Sequence, residues 1–203
     1  IQEKGVVEHI LKSMHQDLAA QFTTMLSKLW NAGSYDQKIL KQYWDLSLSQ
    51  HSSVLQKFFT PWPELVNSIP KSKIDDFWEL VEKTKNFPEP VIIFLEKVSN
   101  KANNDVKKKV WNVLWNTMEN QDKMNFITVL TEYTPTSTDG RSEVIEKCFS
   151  LIDKGEDIKF ALSLLSHIWK NVDQEKTKSK YDILLEKCKP QTDEIELLFT
   201  VMV

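Results

Sequence analysis

The two cysteines of this chain are candidates for a nucleophile or for zinc ligands. Cys148 and Cys188 both lie in helical patterns and lack C-x-x-C spacing, so they indicate neither a disulfide framework nor a zinc site, and intracellular thiols are expected. A catalytic cysteine usually has an exposed helix N-terminus or a neighbouring cation that favours the thiolate. Cys148 lies in the middle of a helical pattern, which predicts core packing. Cys188 lies near a helix end, where the dipole disfavours a thiolate.

The four histidines show no metal-binding pattern. No two of them are spaced i, i+4, and no H-E-x-x-H sequence occurs; they are His9, His15, His51 and His167. His167 lies among apolar residues of one helical pattern and is expected at the edge of the core. His51 precedes a predicted helix and is expected to cap it or to lie in a loop. The sequence therefore predicts no metal site and no cofactor.

Charged residues cluster in four places, and each cluster is expected to be structural. Carboxylates are paired at Asp75/Asp76 and Glu194/Glu196. The first pair falls in a predicted first helical turn, where the dipole stabilises negative charge. The basic run Lys107–Lys109 is expected to form a solvated helix face rather than a nucleic-acid patch. The lysines between residues 176 and 180 belong to a mixed-charge linker.

Composition limits the classes of protein that this chain can represent. It has 203 residues, of which 41% are hydrophobic and 27% charged, so it can bury a core. Four glycines argue against an all-β fold, and no Gly-rich phosphate loop occurs. The net charge of −3 gives no general attraction to nucleic acid or anionic membrane. The longest apolar run, Val91–Leu95, is too short to cross a membrane, and no signal peptide is recognisable.

The apolar spacing is helical almost throughout the chain. The first predicted helices are a stripe at Val6–Met14, Leu18–Trp30 with Gly33 as its C-cap, Tyr35–Leu48, and a helix from Ser52 or Ser53 to Phe59. A capping box at Ser72-x-x-Asp75 predicts the start of the next helix. The remaining predicted helices cover 89–101, 105–119, 121–133, 142–154, 156–171, 176–188 and 192–203. The stretch Thr134–Arg141 is predicted to be a loop. The expected fold is therefore all-α, with about ten helices.

The spacing of these helices favours an α-solenoid. Helix starts fall roughly 15–21 residues apart, and two helices form a unit of about 32–40 residues, the period of HEAT and armadillo repeats. The helices would stack as antiparallel pairs; a globular helical bundle is the alternative. The last predicted helix stops without a polar capping repeat. The chain is therefore expected to be a single repeat segment over 1–203, excised from a longer protein.

The tryptophans are expected to be part of the core. In the 105–119 helix the apolar arc covers about 200°, which needs partners on two sides. Trp111 and Trp115 are four residues apart and are predicted to be buried between neighbouring helix pairs. Trp62 lies between two prolines and is predicted to be a plug over the core, with an exposed recognition anchor as the alternative.

Three sequence features resemble the helical N-terminal region of the very large ubiquitin-specific proteases of the fat-facets type. They are Tyr43-Trp44 with His51 downstream, then Ile74, Asp75, Phe77 and Trp78, and then the K-V-W-N-V-L-W-N segment at Lys109–Asn116. The stretch Val144–Trp169 is similar to the next helix pair of that region, so the resemblance covers about residues 35–170. The P-W-P insertion and the short segment between Glu82 and Pro88 depart from the family pattern.

The resemblance implies a non-catalytic armadillo-like scaffold upstream of a cysteine-protease domain. The catalytic Cys and His boxes of the family have no counterpart here, so no catalytic residue is carried over. The expected partners are other proteins, not nucleic acid or membrane, in the cytoplasm or nucleus. A HEAT/armadillo-type adaptor of an unrelated pathway, such as transport or RNA processing, is the alternative. The sequence does not indicate which face binds the partner.

Overall fold

The structure is a computed structural model that describes residues 2–117, 123–136 and 138–168. Within these ranges every regular element is helical and no strand occurs, which confirms the all-α prediction. The chain divides into two compact units between Lys101 and Ala102. The single repeat segment over 1–203 stays a prediction, and the helices predicted at 176–188 and 192–203 lie outside the described residues.

The helices of the first unit form two rows. In chain order they are α1 (Gln2–Lys12), α2 (Ala19–Asn31), α3 (Gln37–Leu48), α4 (Ser52–Phe59), α5 (Trp62–Ser68), α6 (Ile74–Lys83) and α7 (Glu89–Val98). In one row α1 packs against α3, and α3 packs against α6. In the other row α2 packs against α4 and α5, and these two short helices pack against α7. A contact between α3 and α4 joins the rows.

Helix α2 ends in a Schellman turn, as its glycine predicts. Gly33 has a φ of +88°, a left-handed conformation that costs glycine little. Its N–H donates to the Trp30 carbonyl at 2.9 Å, and the Ser34 N–H donates to the Leu29 carbonyl at 2.9 Å. Two carbonyls at the end of the helix are thereby satisfied, and the chain turns sharply toward α3.

One predicted helix cap is confirmed and another is wrong. His51 is the N-cap of α4, one of the two roles expected for it, because its Nδ1 accepts from the Ser53 N–H at 3.3 Å, and Ser52 is the first helical residue. The predicted capping box at Ser72 is wrong. A 3₁₀ turn over Lys71–Lys73 comes after Pro70 and places Ser72 inside the turn, so α6 begins without a side-chain cap.

The two prolines around Trp62 separate α4 from α5. Pro63 lies in the first turn of α5, where a missing N–H removes no helical hydrogen bond. Trp62 is fully buried, which confirms the prediction that it is a plug. Its ring stacks on Tyr43, with centroids 5.1 Å apart, and meets Trp44 edge-to-face, also at 5.1 Å. Its Nε1–H donates to the Ser47 hydroxyl at 3.2 Å.

The helices of the second unit also pack side by side. Its described helices are α8 (Asn104–Thr117), α9 (Ile127–Tyr133), α10 (Thr138–Lys154) and α11 (Ile158–Ile168). The pairs α8/α9 and α10/α11 pack together, and α9 packs against α11. Helices α8 and α10 are linked by side chains: Lys108 Nζ lies 3.1 Å from Glu143 Oε2, and Lys147 Nζ donates to Asn112 Oδ1 at 2.9 Å.

Two predicted boundaries in this unit are corrected by the structure. The loop predicted over Thr134–Arg141 is shorter, because α10 begins at Thr138. Gly140 is buried there, and packing outweighs its weak preference against helix. Helix α9 begins at Ile127, preceded by a 3₁₀ turn over Lys123–Phe126, rather than at residue 121.

We expect Trp62→Ala to lower the free energy of unfolding of the first unit by about 3–5 kcal/mol, the usual cost of deleting a large buried aromatic side chain. The matched control is Asn67→Ala, an exposed position on the same helix, which should change stability by less than about 0.5 kcal/mol. Hydrogen exchange of α3 and α7 amides measures both effects. Equal exchange rates in the two variants would contradict the central role of Trp62.

Alkaline pH should destabilise the first unit through Tyr43. Burial raises the pKa of this fully buried phenol from its ordinary value near 10 to about 12, with a smaller opposing effect from its hydrogen bond with Thr23. Because the folded pKa is the higher one, the stabilisation is complete below pH 10 and is lost as the pH rises from 10 to 12. Tyr43→Phe should weaken this pH dependence, measured by denaturant unfolding across that range. An unchanged slope in the variant would refute the assignment.

Candidate functional site

The described cysteine has no nucleophilic environment. Cys148 is fully buried in α10, as predicted, and burial raises the pKa of its thiol well above the usual range. A buried neutral thiol is a poor nucleophile and is inaccessible to a macromolecular substrate. Cys188 lies outside the described residues.

Three of the described histidines make side-chain hydrogen bonds within their own segments. His15 Nδ1 accepts from the Asp17 N–H at 3.4 Å, and His51 caps α4 in the same manner. His167 is exposed, and its Nδ1–H donates to the Ser163 carbonyl at 2.7 Å, which fixes this tautomer. In the described ranges no three His, Cys, Asp or Glu side chains lie close enough to hold a metal ion.

The charged clusters are bound to neighbouring segments. Asp76 Oδ2 accepts from the Tyr35 hydroxyl at 2.9 Å, which links the α2–α3 connection to the start of α6. Within the basic run, Lys107 Nζ donates to the Glu132 carbonyl at 3.1 Å, and Lys108 pairs with Glu143. These contacts support the structural role predicted for both clusters. The pair Glu194/Glu196 and the lysines from 176 to 180 lie outside the described residues.

A lysine lies over two stacked tryptophans in the second unit. Trp111 and Trp115 stack with centroids 4.9 Å apart and planes 16° apart, and Lys147 Nζ lies 4.8 Å and 5.7 Å from the two ring centroids. Partial burial lowers the pKa of Lys147, and the neighbouring Lys108 does the same, while Glu143 opposes them. The arrangement is a cation–π contact that holds α10 on α8.

The prediction that both tryptophans are buried holds for Trp111 only. Trp111 is 2% exposed, whereas Trp115 is half-buried at the edge of the stack. The Nε1–H of Trp111 is buried and has no hydrogen-bond partner among the described residues. A buried unpaired donor costs about 1–3 kcal/mol, so this indole packs well but is imperfectly satisfied.

The first unit carries a groove that we call the α3–α6 groove. It is defined by Lys41, Asp45 and Leu48 of α3, Leu80 and Lys83 of α6, and Lys85, Asn86 and Pro88 of the following connection. Trp44 and Thr84 form its floor, and its volume is about 400 Å³. Local sequence patterns do not indicate this groove, because its floor joins Trp44 and Thr84, which are 40 positions apart in the chain.

A second depression runs along the exposed side of α2. It is lined by Ala20, Gln21, Thr24, Met25, Lys28 and Leu29, which all belong to that one helix. The surface is shallow, and Lys28 is the only charged residue among the described residues that line it. It therefore gives a ligand less chemical definition than the α3–α6 groove.

Comparison with known proteins identifies no relative. No protein-family model matches the chain, and neither a curated protein nor a solved structure matches it. None of the helices in the described ranges is both long enough and apolar enough to cross a membrane. The function must therefore be argued from packing and surface chemistry.

The unequal burial of the two tryptophans predicts unequal costs of truncation. Trp111→Ala should lower the free energy of unfolding by about 3–5 kcal/mol, and the half-buried Trp115→Ala by about 1–3 kcal/mol. Asn116→Ala, at an exposed position of the same helix, should stay within about 0.5 kcal/mol. Chemical denaturation measures all three variants. A larger loss at Trp115 than at Trp111 would contradict the packing described here.

Proposed function

We propose that this chain is a non-catalytic protein-interaction scaffold, built as an α-solenoid of the HEAT or armadillo type. Its parent would be a large ubiquitin-specific protease of the fat-facets type, for which it positions substrates or partners for deubiquitination. The chain would act inside the cell, in the cytoplasm or nucleus. The order in which the helices pack is the observation that carries this proposal.

In a solenoid each structural repeat contacts only its neighbours along the chain. The main helix contacts of the first unit fit that rule once α4 and α5 are treated as the two halves of one helix broken at Pro61. The contacts then join elements that are adjacent or next but one in sequence. The second unit supports the same pattern, with α8 beside α10 and α9 beside α11. A globular bundle is not bound to this order.

The residues that carry the resemblance to the protease family occupy structural positions. Tyr43, Trp44, Phe77 and Trp78 are buried, and His51 is a helix cap. The resemblance therefore supports a shared helical architecture and assigns none of these residues a catalytic role. This agrees with the buried state of Cys148, which excludes it as a nucleophile.

A HEAT/armadillo-type adaptor of an unrelated pathway, such as transport or RNA processing, is the second candidate. The order of helix packing favours this candidate as well. Any stack of helix pairs needs buried aromatic and aliphatic residues between its helices, whatever it binds. The two candidates differ in the parent protein. A deubiquitinase would carry a reactive cysteine elsewhere, and an adaptor would not.

A thiol-reactive ubiquitin probe distinguishes these candidates. The native protein, captured from its own cells with an antibody against this chain, should be covalently labelled by ubiquitin carrying a C-terminal electrophile. The chain of residues 1–203 should remain unlabelled, because the described residues assemble no nucleophile, base and oxyanion donors. Cys148→Ala is the matched control and should behave like the unsubstituted chain.

Two results would change the assignment. Labelling of residues 1–203 that Cys148→Ala abolishes would overturn the non-catalytic scaffold. Absence of labelling in the native protein would favour the adaptor over the protease.

A further inference from the structure

We propose that the α3–α6 groove binds an acidic peptide segment of a partner protein, with one hydrophobic side chain of that segment seated on the apolar surface formed by Leu48, Leu80 and Pro88. This inference rests on the proposed scaffold function and adds the chemistry of the partner. Three properties of the groove carry it: a fixed floor, a partly exposed apolar surface, and an excess of unpaired positive charge.

The floor of the groove is held in place before any ligand arrives. Trp44 is 2% exposed, and its Nε1–H donates to the Thr84 hydroxyl at 3.2 Å. That hydroxyl in turn donates to the Leu80 carbonyl at 2.8 Å. The end of α6 is thus tied to α3. A preformed site loses little conformational entropy on binding, which favours affinity.

Above this floor lies a small apolar surface. Leu48, Leu80 and Pro88 are each partly exposed and come from three different segments of the first unit. Their convergence forms a concave apolar surface, and the groove volume of about 400 Å³ has room for a leucine or phenylalanine side chain. Concave apolar surfaces with a few polar groups at the edge are typical of binding sites.

The rim of the groove is positively charged. It carries Lys41, Lys83 and Lys85 against one acidic residue, Asp45. Lys83 Nζ lies 3.2 Å from Glu79 Oε2, one helical turn away. Lys41 and Lys85 are exposed and make no ion pair or hydrogen bond with any described side chain. Two free ammonium groups beside an apolar surface complement carboxylates that flank a hydrophobic residue.

The chemistry of the groove favours a peptide over a nucleic acid. The whole chain has a net charge of −3, which provides no long-range attraction for a polyanion. The positive charge is confined to the rim, and the floor offers no exposed aromatic face for base stacking, because Trp44 is covered. An acidic peptide with one hydrophobic residue can pair with the lysines and also cover the apolar surface.

Selection from a random peptide library tests this proposal directly. The chain of residues 1–203 is immobilised, bound phage-displayed peptides are sequenced, and the most enriched peptide is labelled with fluorescein and titrated by fluorescence anisotropy. We expect enrichment of peptides in which acidic residues flank a leucine or phenylalanine. Their affinity should fall with added salt, because exposed charge pairs are screened.

A pair of charge-reversal variants supplies the matched control. Lys41→Glu with Lys85→Glu reverses the charge of two lysines at the rim of the groove. Lys71→Glu with Lys73→Glu makes the same change of charge at exposed positions outside it. The groove variant should bind the selected peptide about tenfold more weakly, from two lost pairs and new repulsion, while the control stays within about twofold. Circular dichroism checks that both variants remain folded.

Each result supports or overturns the proposal. No enrichment of acidic peptides, or equal affinity of the two variants, would refute the groove as their binding site. Enrichment of basic peptides or preferential binding of a single-stranded oligonucleotide would refute the stated partner chemistry. If the native protein still recruits its partners with Lys41→Glu and Lys85→Glu in place, the scaffold proposal stands and the groove proposal fails.

Discussion

The first unit depends on burying two indole rings side by side without leaving either N–H unpaired. Trp44 and Trp62 each donate to a hydroxyl, on Thr84 and Ser47 respectively. Each hydroxyl passes its own hydrogen to the carbonyl four residues earlier in its helix, at 2.8 Å for Thr84 and 2.7 Å for Ser47. The same arrangement therefore occurs twice. Each buried indole N–H therefore has an acceptor inside the aromatic core. The hydrogen bond from Trp62 to Ser47 also joins the two rows of helices.

The second unit solves a similar packing problem less completely. Trp111 and Trp115 stack on one another, and Lys147 covers them instead of a hydroxyl receiving the indole N–H. The ammonium group of Lys147 is attracted to the π faces of the rings, but it cannot accept a hydrogen bond from the indole N–H. The unpaired Trp111 N–H is the result. Of the two units, the first thus has the better satisfied aromatic core, and it also carries the α3–α6 groove.

Much of the helical fold could be predicted from the sequence because its information is local. Apolar periodicity, Gly33 and the prolines around Trp62 determine helices and their ends within a few residues, and the structure confirms the roles of Gly33 and Trp62. Local rules failed at Ser72 and Thr138. In the first case a 3₁₀ turn displaced the cap, and in the second packing around Gly140 extended the helix.

The candidate site was beyond prediction from the sequence because it depends on distance in space. Lys41 and Lys85 are unremarkable in sequence, each being one lysine among many. They acquire a common surface only when Trp44 reaches Thr84 and brings the end of α6 to α3. The burial of Trp115 was misjudged for a related reason. A helical wheel gives the angle of a side chain but not how far the neighbouring helix extends over it.

Two of the described helices end in a Schellman turn at a glycine, and these turns have a consequence for chirality. The turn at Gly33 recurs after α10, where the Gly155 N–H donates to the Ile152 carbonyl at 3.0 Å and the Glu156 N–H to the Leu151 carbonyl at 2.9 Å. Gly33 has a φ of +88° and Gly155 a φ of +73°, and the Cβ of an L-residue at either position would meet no atom within 4 Å. Space is therefore available for the Cβ of an L-residue, so the backbone conformation rather than crowding disfavours it. An L-residue would be strained in this region, whereas a D-residue adopts it by preference and would reduce the conformational freedom of the unfolded chain. These two turns select the stereochemistry of the α-carbon rather than the size of its substituent.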